Sequence, residues 1–164
     1  MEFYPWVVFL HVAAAFVFVL GHGASVWVSD QIRRERDPSR IRVLLELSTR
    51  SLGLVYASLV TLLVAGIVAG IMGGWFGRGW IWAAIIVLVA IIVAMYGLAS
   101  RYYSQLRQAV GLRSYQTPKD APDPTPVSAA ELAALVDSRR PDVISLVGFV
   151  GLFVLLWLMM FKPF

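Results

Sequence analysis

Residues 5–28 of the 164-residue chain read PWVVFLHVAAAFVFVLGHGASVWV, a run without a single charge. At about 1.5 Å per residue, a helix of this length reaches beyond a hydrocarbon core about 30 Å thick. Three further apolar stretches, 52–74, 79–100 and 143–161, are also long enough to cross such a core and equally free of Asp, Glu, Lys and Arg. Backbone polar groups in lipid must find partners within the chain, so such stretches read as helices. Composition agrees: 59% of residues are apolar, 15% are charged, and the mean hydropathy is +0.75. The expected fold is an all-α integral membrane four-helix up-down bundle, forming a single transmembrane domain over 1–164.

The first stretch also resembles a secretory signal, with Ala13, Ala14 and Ala15 imitating a cleavage site. The preceding MEFYP carries no Lys or Arg, and the apolar run is longer than a signal core. We therefore read it as an anchor that is retained.

Charge sets the expected orientation. Arg33, Arg34, Arg36, Arg40, Arg42 and Arg50 follow the first span. Arg101, Arg107, Arg113, Lys119, Arg139 and Arg140 follow the third, which leaves only Arg78 and Lys162 for the other side. The positive-inside rule then places both termini on the outer, periplasmic or extracellular side of a bacterial cytoplasmic (inner) membrane. The high isoelectric point, about 9.8, is an orientation signal, and anionic headgroups of the lipid bilayer are the expected neighbours of these cations. The aromatics sit in or beside the spans, which excludes a nucleic-acid surface.

The cytoplasmic side is expected to carry helix extensions and a Pro-rich loop. Asp37-Pro38 reads as an N-cap with proline at the first helical position, so the second helix starts well before the membrane. The third span runs on through RYYSQLRQAVG to a stop at Gly111. Residues 114–127, SYQTPKDAPDPTPV, hold Pro118, Pro122, Pro124 and Pro126 and read as an extended linker. Ser128 and Glu131 form a capping box for a short amphipathic helix over 128–140, whose Leu132, Leu135 and Val136 share one side. In the second span, Gly66, Gly70 and Gly74 recur every four residues and predict close helix packing. Trp6, Trp75, Trp80 and Trp157 are expected at the outer interface, and Tyr102 and Tyr103 at the inner one.

The chain has two histidines and no cysteine, and both imidazoles, His11 and His22, lie in the first span. Eleven residues of helix turn through about 1100°, which brings the second ring to within about 20° of the first and roughly 16 Å further along the axis. Leaving a polar group unpaired in an apolar medium costs roughly 2–7 kcal/mol, so both rings need partners. One expectation is a hydroxyl or backbone carbonyl, with Tyr56, Ser58, Thr61 and Tyr96 within reach. The other is a flat cofactor seated beside the small residues Ala14, Ala15, Gly21 and Ser25. Neutral imidazole ligates haem iron, and a bundle can hold the macrocycle between its helices.

Two six-coordinate haems need four axial ligands. A parallel homodimer would supply His11 and His22 twice, or Met95, near the depth of His22, would complete a His/Met pair. Arg50 and Arg101 are candidate propionate partners. Copper is the alternative metal, with His11 and His22 as ligands and Met159 and Met160 near the depth of His11. No span contains the carboxylate or cation usual in an ion pathway, and no motif for hydrolysis, phosphoryl transfer or nucleotide binding is present. The expected function is haem b binding with transmembrane electron transfer. The alternative is a non-catalytic accessory subunit of a larger membrane complex, and neither reading makes the chain an enzyme by itself.

The opening FLHVAAAFVFVLGHG resembles the first span of a broad group of bacterial four-helix membrane proteins that includes the copper-resistance CopD type. It also resembles an uncharacterised family of predicted integral membrane proteins, whose close the ending LFVLLWLMMFKPF is similar to. The HemJ-type protoporphyrinogen oxidases share a first-span histidine after a Leu, which the resemblance implies is a haem ligand, and this carries over to His11 alone.

Overall fold

The structure, a computed structural model, describes residues 2–164. It is helical, with α1 (Tyr4–Arg34), α2 (Pro38–Met72), α3 (Gly79–Met95), α4 (Arg101–Ala109), α5 (Ala129–Val136) and α6 (Arg140–Phe161). A single turn of π-helix, Tyr96–Ser100, joins α3 to α4 without a break. Four helical rods, α1, α2, α3 with α4, and α6, are long and apolar enough to cross a membrane.

Each boundary has a local cause. The Asp37 side chain accepts from the Ser39 N–H and Pro38 opens α2, so the chain reverses between α1 and α2 in three residues. Gly74 adopts φ +66 and turns the chain out of α2 into the short turn Trp75–Gly77. Gly111, at φ +76, ends α4 in a Schellman arrangement: Leu112 N donates to Arg107 O at 2.8 Å and Gly111 N to Gln108 O at 3.0 Å. Both arms of the Ser128/Glu131 capping box are formed at the start of α5. That helix stops at Val136, short of the expected 140. A brief turn follows and α6 begins at Arg140, with Pro141 in its first turn.

The rods form two antiparallel hairpins, α1 with α2 and α3 with α6. Packing is extensive inside each hairpin and sparse between the long helices of one hairpin and those of the other. Large apolar side chains such as Phe16, Leu20, Val64, Ile86, Val93 and Phe153 face outward. The best-packed core lies instead at the arginine-rich end, where Val28, Ile32, Ile41, Leu45, Leu106 and Val136 close around Tyr102. Lipid tails are as apolar as leucine and give helices no hydrophobic reason to associate, whereas segments that leave the bilayer regain that drive. The core therefore forms where the helices outrun their apolar stretches. Arg33 with Asp142, and Arg36 with Asp137 at 2.7 Å, add polar ties from the first hairpin to α6 and α5.

Two interfacial anchors are corrected by this packing. Tyr102 is 1% exposed and donates its hydroxyl to Leu135 O, because α5 folds onto the bundle and covers it. Trp80 is 4% exposed: the C-terminal residues fold back, Trp80 N donates to Phe164 O at 3.1 Å, and Lys162 Nζ lies 4.3 Å from the centre of the Trp75 ring. Trp6 and Trp157 do face outward. The Pro-rich stretch is not a free linker either. The Arg113 guanidinium donates to the carbonyls of Pro118, Lys119 and Ala121 and to Asp123, and so gathers the strap around one side chain.

Candidate functional site

Both histidines turn inward, each against a glycine of a different neighbour. His11 faces α2, and its Nδ1 lies 2.8 Å from the carbonyl oxygen of Leu62. A carbonyl only accepts, so Nδ1 carries the proton and Nε2 of the neutral ring keeps its lone pair. The Leu62 carbonyl is also the helical acceptor for the N–H of Gly66, four residues on. Because Gly66 has no side chain, the imidazole can reach past the helix surface to that oxygen. A Cβ at Gly66 would stand 2.9 Å from His11 Cε1 and 3.0 Å from Nδ1. The ring occupies the space the glycine vacates.

His22 faces α6 at Gly148. A Cβ there would lie 2.9 Å from His22 Nε2 and 3.7 Å from the Met95 methyl carbon. The structure thus brings His22 of the first hairpin and Met95 of the second to one point on the seam between them. The Phe18 ring, one turn earlier on α1, stacks parallel on the imidazole at 5.9 Å. Nε2 of His22 is buried and has no hydrogen-bond partner. A buried polar nitrogen without a partner is uncommon in a native interior. Met95 is also the last residue before the π turn Tyr96–Ser100, and such turns recur at functional sites.

The hydroxyls expected as partners are engaged elsewhere. Ser58 Oγ donates to the carbonyls of Leu54 and Val55, and Thr61 Oγ1 to that of Ala57. Tyr56 and Tyr96 face outward. The small residues near the histidine stripe serve the α1–α2 contact: Gly21 packs against Val55, and Ser25 Oγ bonds Gly21 O and Ser51 Oγ. The glycine series of α2 is divided in the same way. Gly66 seats His11, Gly70 packs against Phe76 and Ile81, and Gly74 lies beyond the helix. The close packing expected of this series is therefore met within the chain.

Arg50 and Arg101 are both exposed and neither bonds a histidine. Arg101 borders a groove with Arg139 and Arg140. Met160 faces outward. Among the described residues no group of three or more His, Cys, Asp or Glu side chains converges, so protein donors beyond imidazole at this site are thioether and backbone. Gly148 carries no motif that marks it as part of a site from sequence alone. Its signal is the small pair Gly148 and Gly151 three residues apart in the last span, where Gly151 packs against Ile91 of α3.

The donor chemistry fits haem iron or a soft metal ion: one imidazole presents its Nε2 lone pair, the other has an unpartnered nitrogen beside a thioether. The clearance is tighter than the chemistry. His22 Nε2 abuts the α6 backbone at Gly148, whereas two groups in van der Waals contact stand about 3.5–4.0 Å apart with nothing between them. A porphyrin plane between His22 and α6 therefore requires the two hairpins to part, along the seam where they pack least. As for known proteins, no protein-family model, no curated protein and no solved structure matches the chain.

Proposed function

We propose that the chain is a haem b-binding integral membrane protein taking part in transmembrane electron transfer, with its iron held by His22 and Met95 at the seam between the hairpins. The observation that carries this reading is the buried, unpartnered Nε2 of His22, set beside Met95 at Gly148. A partner there would remove a desolvation penalty of roughly 1–3 kcal/mol that the closed packing leaves standing. His11, oriented by Leu62 so that Nε2 is the ligating nitrogen, is the second candidate site, about 16 Å further along the helix. A macrocycle shared across a homodimer axis is less favoured, because both rings turn toward helices of their own chain. In this reading the arginine-rich end faces the cytoplasm of a bacterial inner membrane and both termini lie outside.

The same observation favours a second reading, in which His22 and Met95 hold copper(I). A single ion needs less separation of the hairpins than a porphyrin, and its softness suits the thioether. One preparation separates the two. Protein purified in mild detergent with haem supplied should show a Soret band that moves on reduction. His22→Ala should abolish it, Met95→Leu should shift it, and Gly148→Ala should weaken it. A colourless protein retaining copper that His22→Ala releases would support the second reading. A colourless, metal-free protein that co-purifies with a defined complex would reject both and leave the accessory-subunit reading.

A further inference from the structure

At the arginine-rich end, a groove of about 790 Å³ lies between the α3–α4 rod and the start of α6. Arg101, Arg139 and Arg140 stand on its rim, and Leu98, Val143 and Ile144 form its apolar wall. The charge around it is uncompensated. Arg33, Arg34, Arg36, Arg40, Arg42 and Arg113 each pair with a carboxylate. Among the described residues no carboxylate lies within ion-pair distance of Arg101, Arg139 or Arg140. Arg140 bonds only the neutral Gln105, at 2.8 Å. Asp142, the acid in the first turn of α6, is taken by Arg33.

The level of the groove is equally specific. Arg101 directly follows the apolar stretch 79–100, and Arg139 and Arg140 precede that of 143–161 by one turn of helix, with Pro141 and Asp142 between. The guanidinium groups therefore stand at the edge of the hydrocarbon, and Leu98 and Val143, both exposed, continue the groove toward the bilayer. The π turn at Tyr96–Ser100 and the bare Gly97, whose missing side chain would meet nothing within 4 Å, keep this wall open. Guanidinium forks match phosphate oxygens, and the first turn of a long helix adds a favourable dipole for an anion.

We propose that this groove is a binding site for an anionic phospholipid, with its phosphodiester held by Arg101, Arg139 and Arg140 and an acyl chain laid along Leu98 and Val143. The apolar wall running into the membrane is what favours a lipid over a soluble phosphate. The site lies apart from the histidines and stands whether or not they carry a cofactor.

The test uses the full chain in phosphatidylcholine nanodiscs doped with phosphatidylglycerol or cardiolipin, with retained lipid counted by native mass spectrometry and affinity read from a lipid titration. The side chains of Arg101 and Arg139 make no hydrogen bond or ion pair among the described residues, so Arg101→Gln and Arg139→Gln remove no internal polar contact, and melting in phosphatidylcholine alone checks that the fold is kept. Near an anionic surface one arginine is worth about 1 kcal/mol, so each variant should lose about fivefold in affinity and the pair more than either. Arg42→Gln, which removes a paired arginine elsewhere at this end, should change little. The proposal is overturned if the groove variants bind like the parent, if Arg42→Gln loses as much, if phosphatidylcholine is retained equally, or if inorganic phosphate at millimolar concentration displaces the lipid.

Discussion

Replacing Gly66 with alanine tests whether a glycine in α2 exists to seat a histidine of α1. The new Cβ would meet His11 Cε1 at 2.9 Å and Nδ1 at 3.0 Å, closer than atoms of the ring can stay. The imidazole must swing away and release the Leu62 carbonyl, now 2.8 Å distant. Overpacking of this kind costs about 1–3 kcal/mol. The lost hydrogen bond adds about 0.6 kcal/mol, the average for a side-chain bond between membrane helices. Against these stands a gain of up to about 1 kcal/mol from replacing glycine inside a helix. The net expectation is a destabilisation of about 1–3 kcal/mol. Gly53, on the same helix, has nothing within 4 Å of its absent Cβ, so Gly53→Ala should be neutral or mildly stabilising. In a His11→Ala background the obstacle is gone, and Gly66→Ala should there behave like Gly53→Ala. The measurement is equilibrium unfolding in mixed detergent micelles, run as a double-mutant cycle, with nitrogen-15 NMR of His11 reporting loss of the Nδ1–H tautomer. Equal effects of Gly66→Ala with and without the histidine would refute the reasoning.

Gly151→Ala would place a Cβ 2.4 Å from Ile91 Cδ1 and should lower stability by about 1–3 kcal/mol, whereas Gly23→Ala, with open space around it, should not; thermal melting in detergent compares them. Arg113→Ala should free the strap 114–127, seen as faster amide exchange and protease cleavage within it, and Arg113→Lys should not restore protection because one ammonium cannot span four acceptors. The turn between α1 and α2 should depend on pH. Glu35 is held below its ordinary value chiefly by the Asp37 N–H, and Asp37 chiefly by the Ser39 hydroxyl. Folded-state values below the unfolded ones mean that this stabilisation is fully present above the ordinary carboxylate range and is lost as pH falls through the depressed values. Protection of the Arg36, Asp37 and Ser39 amides, measured as exchange relative to the intrinsic rate at each pH, should therefore be high at neutral pH and fall below roughly pH 4, a dependence that Asp37→Asn should blunt.

Much of the architecture was legible because its signals are local. Charge-free runs long enough to span a hydrocarbon core, a proline after Asp37, a glycine at 111 and a Ser/Glu pair three residues apart each act within one helix or one turn. The burial of Tyr102 and Trp80 was not legible, since it depends on α5 folding onto the bundle and on the C-terminal residues folding back, contacts between segments far apart in the chain.

The sequence by itself determined that the chain forms four helices long and apolar enough to cross a membrane and that His11 and His22 share a face, since helical pitch and the cost of bare peptide groups in lipid dictate both. Only the tertiary structure decided what each imidazole meets. His11 reaches a carbonyl that Gly66 leaves uncovered, while His22 is left unpaired beside Met95 and Gly148. Periodicity along one helix says which way a side chain points, but the identity of its partner is set by the rotation and depth of the neighbouring helices, which are fixed by packing between segments distant in sequence.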